Sequence, residues 1–301
     1  MKIKRLLALL MAAAMVTSLA ACGGNDSGNT AGSGAAASGG SDLGMIAVVS
    51  REDGSGTRGA FVELMGIEEE DADGNTTDMT TLDATITNNT EVMMSTVAGD
   101  PAAIGYVSMG SLNDNVKAVT VDGVEATAEN VKAGTYSVSR PFNIATMGEP
   151  TGVVADFINF ILSAEGQEIA AGDYIPVDDA AASFQSDGST GKIVIGGSSS
   201  VTPLMEALVE AYQAINTGAD IELQTSDSTS GMTGTIDGTY DIGMASRELN
   251  EEESAQLTGT VIALDGIAVI VNNENPVENL TTEQIGQIYK GEITDWSEVT
   301  A

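Results

Sequence analysis

Histidine is absent from this chain, and cysteine occurs once, at Cys22. The first absence removes the commonest general base and metal ligand, which turns the reading away from an enzyme and from a metal or other cofactor. The second excludes a disulfide within the chain, so Cys22 needs another reason to be there. Basic residues number 11 against 44 acidic ones, for a net charge of −33. A surface this acidic excludes nucleic acid as a partner. It also repels anions at long range, although salt screens that field within about 8 Å. Any anion site here must therefore work at contact distance, with fixed dipoles and a local cation. Aromatic residues make up only 4% of the chain, so the core must lean on Ala, Val, Ile, Leu and Met.

The first residues read as an export signal. Lys2, Lys4 and Arg5 precede the apolar run Leu6–Leu19, which is too short to span a bilayer comfortably. It closes on Leu19-Ala20-Ala21-Cys22, which resembles a bacterial lipobox; the other reading is a plain signal peptide ending on a chance cysteine. Residues 1–22 then form a lipoprotein signal peptide and lipobox, and cleavage before Cys22 with acylation of that residue would anchor the mature protein to the extracytoplasmic face of the cell membrane. Residues 23–44 are nearly all small and polar up to Gly40 and read as a flexible tether.

From Met45 onward, short apolar runs alternate with helical patterns, the signature of an α/β protein. Strands are predicted over Met45–Ser50, Ile104–Val107, Val116–Val121, Lys192–Gly196, Asp220–Gln224, Asp241–Ala245 and Val261–Val271. Helices are predicted over Gly59–Met65, Val153–Leu162, Pro203–Ile215 and Thr282–Tyr289. In the third helix Leu204, Met205, Leu208, Val209, Tyr212 and Ile215 share one face, and the Pro near its start loses no needed N–H. The polar stretch Asp178–Thr190 reads as a linker between two halves.

Three strand-to-helix loops carry donors suited to an anion. The first, Ser50–Arg58, combines Gly54 and Gly56 with Ser55, Thr57 and Arg51. Its amides and helix end can face a ligand while Arg51 forks two N–H groups onto an oxyanion. The second is Gly196–Pro203 and the third Thr225–Met232, both rich in hydroxyls. Taken singly, each string is equally an ordinary capped turn. Three hydroxyl-rich helix starts and one arginine in a single chain shift the balance toward a shared anion site. Arg140 and Arg247 could pair with acids or line a cleft, and both are left out of it. No Walker-type or complete dinucleotide motif is present.

These residues resemble the bacterial periplasmic phosphate-binding proteins, receptors of the phosphate ABC importer. Gly191–Val299 resembles their N-terminal half through Gly196–Leu204, Asp241–Glu248, Asp265–Ala268 and the segment from Ile288 to Trp296. Ile46–Val177 resembles their C-terminal half through Ser50–Arg58, Ala103–Val107, Phe157–Gly166 and Tyr174–Val177. The order of the halves is inverted. A circular permutation, with the old termini joined by Asp178–Thr190, is the simplest reading, and a fusion fragment or truncated chain is the rival.

The resemblance implies two α/β domains with a hinge and an anion cleft between them. One domain would be continuous, Asp122–Asn272, and the other split, Met45–Val121 plus Asn273–Ala301. It implies phosphate contacts at Arg51, Asp53, Ser55, Gly56 and Thr57 on one side and at Ser199, Ser200, Ser228 and Ser246 on the other. Asp53 would hold Arg51 or face the phosphate proton. Some members of the family place an aspartate where this chain has Ser246, so the choice between phosphate and sulfate or arsenate is left open. The expected partners are inorganic phosphate, the membrane permease of the importer and the membrane itself, with the protein a monomer. Phosphate sensing, another oxyanion, a phosphatase built on the fold, or a surface lipoprotein with a vestigial site are the alternatives.

Overall fold

The computed structural model describes residues 43–71 and 76–299. They fall within one compact unit, Gly40–Ala301. The predicted signal, Cys22 and almost all of the tether lie outside the described residues.

Eight strands form the main path of one large sheet: β1 (Ala47–Arg51), β2 (Thr85–Thr87), β3 (Ala103–Ser108), β4 (Ser139–Thr146), β5 (Gly191–Ser198), β6 (Ala219–Ser226), β7 (Ile242–Ala245) and β8 (Thr258–Asn272). Their spatial order is β6-β5-β7-β4-β8-β3-β1-β2. At one end β5 is parallel to β6 and β7, and at the other β1 is parallel to β2 and β3. Between these two parallel ends run β4 and β8, antiparallel to each other and to their neighbours. Helices α1 (Gly56–Leu64), α2 (Thr90–Ala98), α3 (Gly152–Ile161), α4 (Thr202–Ile215) and α5 (Ser228–Ile236) pack around the sheet.

The two larger of three hydrophobic clusters among the described residues make this one sheet into two lobes. The first holds Phe61, Ile104, Tyr106, Val138, Ile267–Val271 and Tyr289, with Phe61 stacked on Tyr106 at 4.0 Å. The second holds Phe142, Phe157, Phe160, Ile193, Leu204, Leu208, Tyr212 and Ala263. Residues 122–138 and 267–272 were expected in the second domain. Val131, Tyr136, Val138 and Ile267–Val271 nevertheless pack in the first core. The reason is that β4 and β8 cross between the lobes in mid-strand, so the cores part between Val138 and Phe142 and between Ala263 and Ile267.

Strand β4 was not anticipated, because Arg140-Pro141 interrupts its apolar pattern and Pro reads as a breaker. The segment Asp178–Thr190 has no regular structure beyond a turn, yet it is fastened to the second lobe. Phe184 packs on Phe160 at 5.2 Å, and Asp156 accepts bonds from Ser186 Oγ at 2.7 Å and Asp187 N at 2.8 Å.

Candidate functional site

Strand β1 runs opposite to β5, β6 and β7, so the loops leaving the carboxyl ends of these two parallel sets face each other between the lobes. The carboxyl end is where an α/β sheet presents ligands to helix ends. Strand β1 delivers Arg51 there. Its last residues are pinned by Tyr106, whose hydroxyl shares a 2.9 Å bond with Ser50 Oγ and accepts from Arg51 N at 3.1 Å. Burial pushes the Tyr106 hydroxyl up to about 12, against the lowering effect of those bonds, so it stays a neutral anchor.

Ser55 caps α1 by accepting from Arg58 N at 3.3 Å, and the chain enters the helix at Gly56 and Thr57. From the other lobe come Ser198, Ser199 and Ser200 ahead of α4, Ser228 at the first turn of α5, and Ser246 just beyond β7. Thr57 and Ser200 share a 2.8 Å hydrogen bond across the lobes, and Thr57 lies 3.4 Å from Ser246 Oγ. Ser246 accepts from Ser198 Oγ at 3.0 Å, lies 3.4 Å from Ser228 Oγ, and gives its own N–H to Ser228 Oγ at 3.0 Å. Arg51 Nη2 reaches Ser199 Oγ at 3.2 Å. All these side chains are buried.

The lobes also meet at the rim of this cluster, where Thr229 N donates to Gly54 O at 3.2 Å. Helices α1, α2, α4 and α5 begin at or beside the cluster, and α4 has no side-chain cap on its first amides. Free amides and positive dipole ends from both lobes therefore surround one guanidinium and a ring of hydroxyls. A cavity of about 500 Å³ adjoins the cluster through Thr90 and Ser199.

Of the nine residues expected to contact the anion, Arg51, Thr57, Ser199, Ser200, Ser228 and Ser246 are joined in this network. Gly56 sits against it, since a Cβ there would overlap Ser228 Oγ and stand 3.0 Å from Ser246 Oγ. Ser55 is buried beside it, with its hydroxyl given to the helix cap. Asp53 is not brought in. Its carboxylate is 98% exposed and accepts from Arg58 Nη1 at 2.8 Å. Arg58, in the first turn of α1, holds Asp53 outward while also donating to Arg51 O and to Asp78. The partner of Arg51 is instead Glu52, through Nε–Oε2 and Nη2–Oε1 bonds of 2.8 Å each.

Two members of the network escaped the sequence reading. Thr90, the first residue of α2, lies 3.2 Å from Ser199 Oγ and 3.4 Å from Ser200 Oγ. Asn89 caps that helix by accepting from Val92 N at 2.8 Å, and Asn89-Thr90 ahead of Val92-Met93-Met94 was the signal available for it. Ser198 was passed over beside its neighbours Ser199 and Ser200.

Two lobes joined by crossing strands, with a buried donor cluster between them, define a solute-binding protein of the two-lobed type. A model of the PBP superfamily domain matches residues 30–165 and 182–301. Phosphate-binding protein PstS 2 of Streptococcus agalactiae serotype V is 52% identical over 263 residues, covering 86% of this chain and 89% of the relative. A crystal structure of a phosphate ABC transporter phosphate-binding protein from Streptococcus pneumoniae TIGR4 is 42% identical, with a TM-score of 0.68, and the match covers 85% of this chain and 100% of that one. The Bacillus subtilis phosphate-binding protein PstS is 35% identical over 137 residues, 44% of this chain and 42% of the relative. The chain belongs to the PBP superfamily and, within it, to the group of phosphate-binding proteins that these relatives represent.

Proposed function

We propose that this chain is an exported receptor that closes its two lobes on inorganic phosphate and hands the anion to the permease of an ABC importer. The observation that carries the reading is the hydroxyl network itself. Thr57 and Arg51 from one lobe meet Ser200 and Ser199 from the other, at helix starts that present free amides. A tetrahedral oxyanion has acceptors on every side, and this arrangement offers donors from both lobes at once. Binding then favours the closed form, which is the form a permease can distinguish.

In this reading the contacts are Arg51, Ser55, Gly56, Thr57, Ser199, Ser200, Ser228 and Ser246, with Thr90 added and Asp53 removed. The protein binds its ligand unchanged, since hydroxyls here have one another as partners and the sequence has no histidine to activate them. Acylated Cys22 and the tether that follows hold the monomer at the outer face of the membrane.

The inverted order of the halves is read as a circular permutation. The half-length match to the Bacillus subtilis relative supports it. So does the meeting of chain segments far apart in sequence, with Ile46 N donating to Thr294 O at 2.8 Å and Trp296 N to Gly44 O at 3.0 Å. Adjacent segments of this kind are where an ancestral chain can be cut.

Calorimetric titration of the chain from residue 23 onward, freed of bound anion, tests the function. One-to-one phosphate binding with weaker sulfate binding is the expected result. A folded sample that binds neither anion overturns the reading.

A further inference from the structure

Strands β4 and β8 carry the chain between the cores, and they are bridged by an ion pair where they cross. Arg140 and Asp265 stand opposite one another in the antiparallel register, with Nη2 and Oδ2 2.9 Å apart. Arg140 lies between Val138 of the first core and Phe142 of the second, and Asp265 lies between Ala263 of the second and Ile267 of the first. Their side chains are 2% and 0% exposed. Any rotation of one lobe on the other must pass through the backbone that bears this pair.

The two partners are also tied to different lobes. Asp265 Oδ1 accepts from Ser108 Oγ at 3.0 Å, and Ser108 ends β3 of the first lobe. The Arg140 guanidinium lies 5.5 Å from the ring centre of Phe142, in the second core, and Tyr174 packs on the same ring at 5.3 Å. With the lobes bonded to each other as here, the Nε and Nη1 donors of Arg140 are buried and meet no acceptor of the protein. Charged donors left unmet away from water are unfavourable, and more so than neutral ones. Opening the hinge gives them access to water or new acceptors.

We propose that Arg140 and Asp265 are positioning residues for anion capture: they form the hinge pin, and the unmet donors of Arg140 bias the unliganded protein toward the open form. The inference rests on the receptor reading above, because it assigns these residues a role in closure and none in contact with the anion. A binding protein needs such a bias. If the lobes stayed shut without ligand, entry would be slow and the closed form would carry no information. The conformational preference is subtracted from the intrinsic affinity, so weakening it tightens apparent binding. Burial together with the Asp265 contact explains why the pair stays intact at the crossing instead of dispersing into solvent: each charge would be stranded without the other.

The test is the double variant Arg140→Gln/Asp265→Asn, which exchanges the ion pair for a neutral one without stranding a charge. Phosphate is titrated by calorimetry, and the compactness of the anion-free protein is measured by small-angle scattering. The expected result is apparent phosphate affinity about tenfold tighter, slower release, and an anion-free form that is already compact. Unchanged affinity and scattering in a folded double variant, or weaker binding, overturns the hinge inference. Should the double variant fail to fold, amide exchange in the wild-type chain decides. Phosphate is expected to slow exchange across Val138–Phe142 and Ala263–Ile267, and no change there overturns the inference equally. A wild-type chain that binds no phosphate sinks the receptor reading instead, so the two failures are distinguishable.

Discussion

Arg51 is forked onto Glu52, its neighbour in sequence, while Asp53 faces solvent beside Arg58. The strand ends at Arg51 and the chain turns at Asp53-Gly54, so strand alternation does not extend to these acids, and Glu52 is the one that fixes the guanidinium. Arg51 is 3% exposed at its side chain, so its orientation is set by this fork and by Ser199. Glu52→Ala removes the fork and is expected to weaken phosphate binding about tenfold, equivalent to roughly 1.4 kcal/mol. Glu52→Gln retains an acceptor and should stay within about threefold. Asp53→Asn should leave both phosphate affinity and the phosphate-to-sulfate ratio unchanged. A changed ratio in that variant would restore Asp53 to the site. Calorimetric titration of all three with both anions checks the set.

Gly56 separates closure from folding. A Cβ at this position would overlap Ser228 Oγ and stand 3.0 Å from Ser228 Cβ and Ser246 Oγ, all on the opposite lobe. When the lobes part, that clash is gone. Gly56→Ala should therefore leave the melting temperature of the anion-free protein nearly unchanged while weakening phosphate binding. Overpacking of this size costs about 1–3 kcal/mol, or roughly five- to 150-fold in affinity. An equal loss in stability and affinity would mean that the two lobes do not separate.

The 2.8 Å bond between Thr57 and Ser200 crosses the lobes, so its two hydroxyls should be energetically coupled in binding. Thr57→Val and Ser200→Ala each leave the other hydroxyl short of a partner. A double-mutant cycle on phosphate affinity should show a coupling of about 0.5–1.5 kcal/mol. Simple additivity would place the two groups in independent contacts with the ligand.

Much of this was legible in the sequence because it depends on local pattern. The strands around Val49, Ile104 and Ile195 and the helix over Thr202–Ile215 follow from periodicity and caps, and the three anion loops follow from glycine and hydroxyl strings at strand ends. What was not legible depends on long-range geometry. Strand β4 is disguised by Arg140-Pro141, and only its pairing with β8 explains how a buried arginine is tolerated there. Neither Asp53 nor Glu52 carries any local mark of which way it faces. That is decided by Arg58, which also bonds Asp78, from a strand that has no counterpart in the apolar pattern. Thr90 belongs to the site only because β2 lies beside β1 and delivers α2 to the same edge.

Asp156 offers a test of the joining segment that does not involve the anion. This carboxylate is buried within the second lobe and accepts from Asp187 N at 2.8 Å, Ser186 Oγ at 2.7 Å and Tyr212 Oη at 2.8 Å. Burial alone would raise its pKa, but these donors and Asn216 outweigh it and hold the carboxyl below its usual range. A carboxyl with a depressed native pKa adds stability above its unfolded pKa and loses it as pH falls through the native value. Asp156→Asn puts an amide donor among groups that already donate, so at neutral pH it should cost about 2 kcal/mol. For a protein of this size that lowers the melting temperature by roughly 4–8 °C. The gap between wild type and variant should narrow as pH falls below about 4, where this carboxyl protonates in the unfolded chain, and should go on narrowing through the lower native value. A gap that stays constant from pH 7 to pH 3 would mean that lost packing, and not the ionised carboxylate, fastens residues 184–187 to the lobe. If that segment joins the ancestral termini, its anchoring through Asp156 is what turns a flexible splice into part of the fold, and limited proteolysis of the variant should open the chain there first.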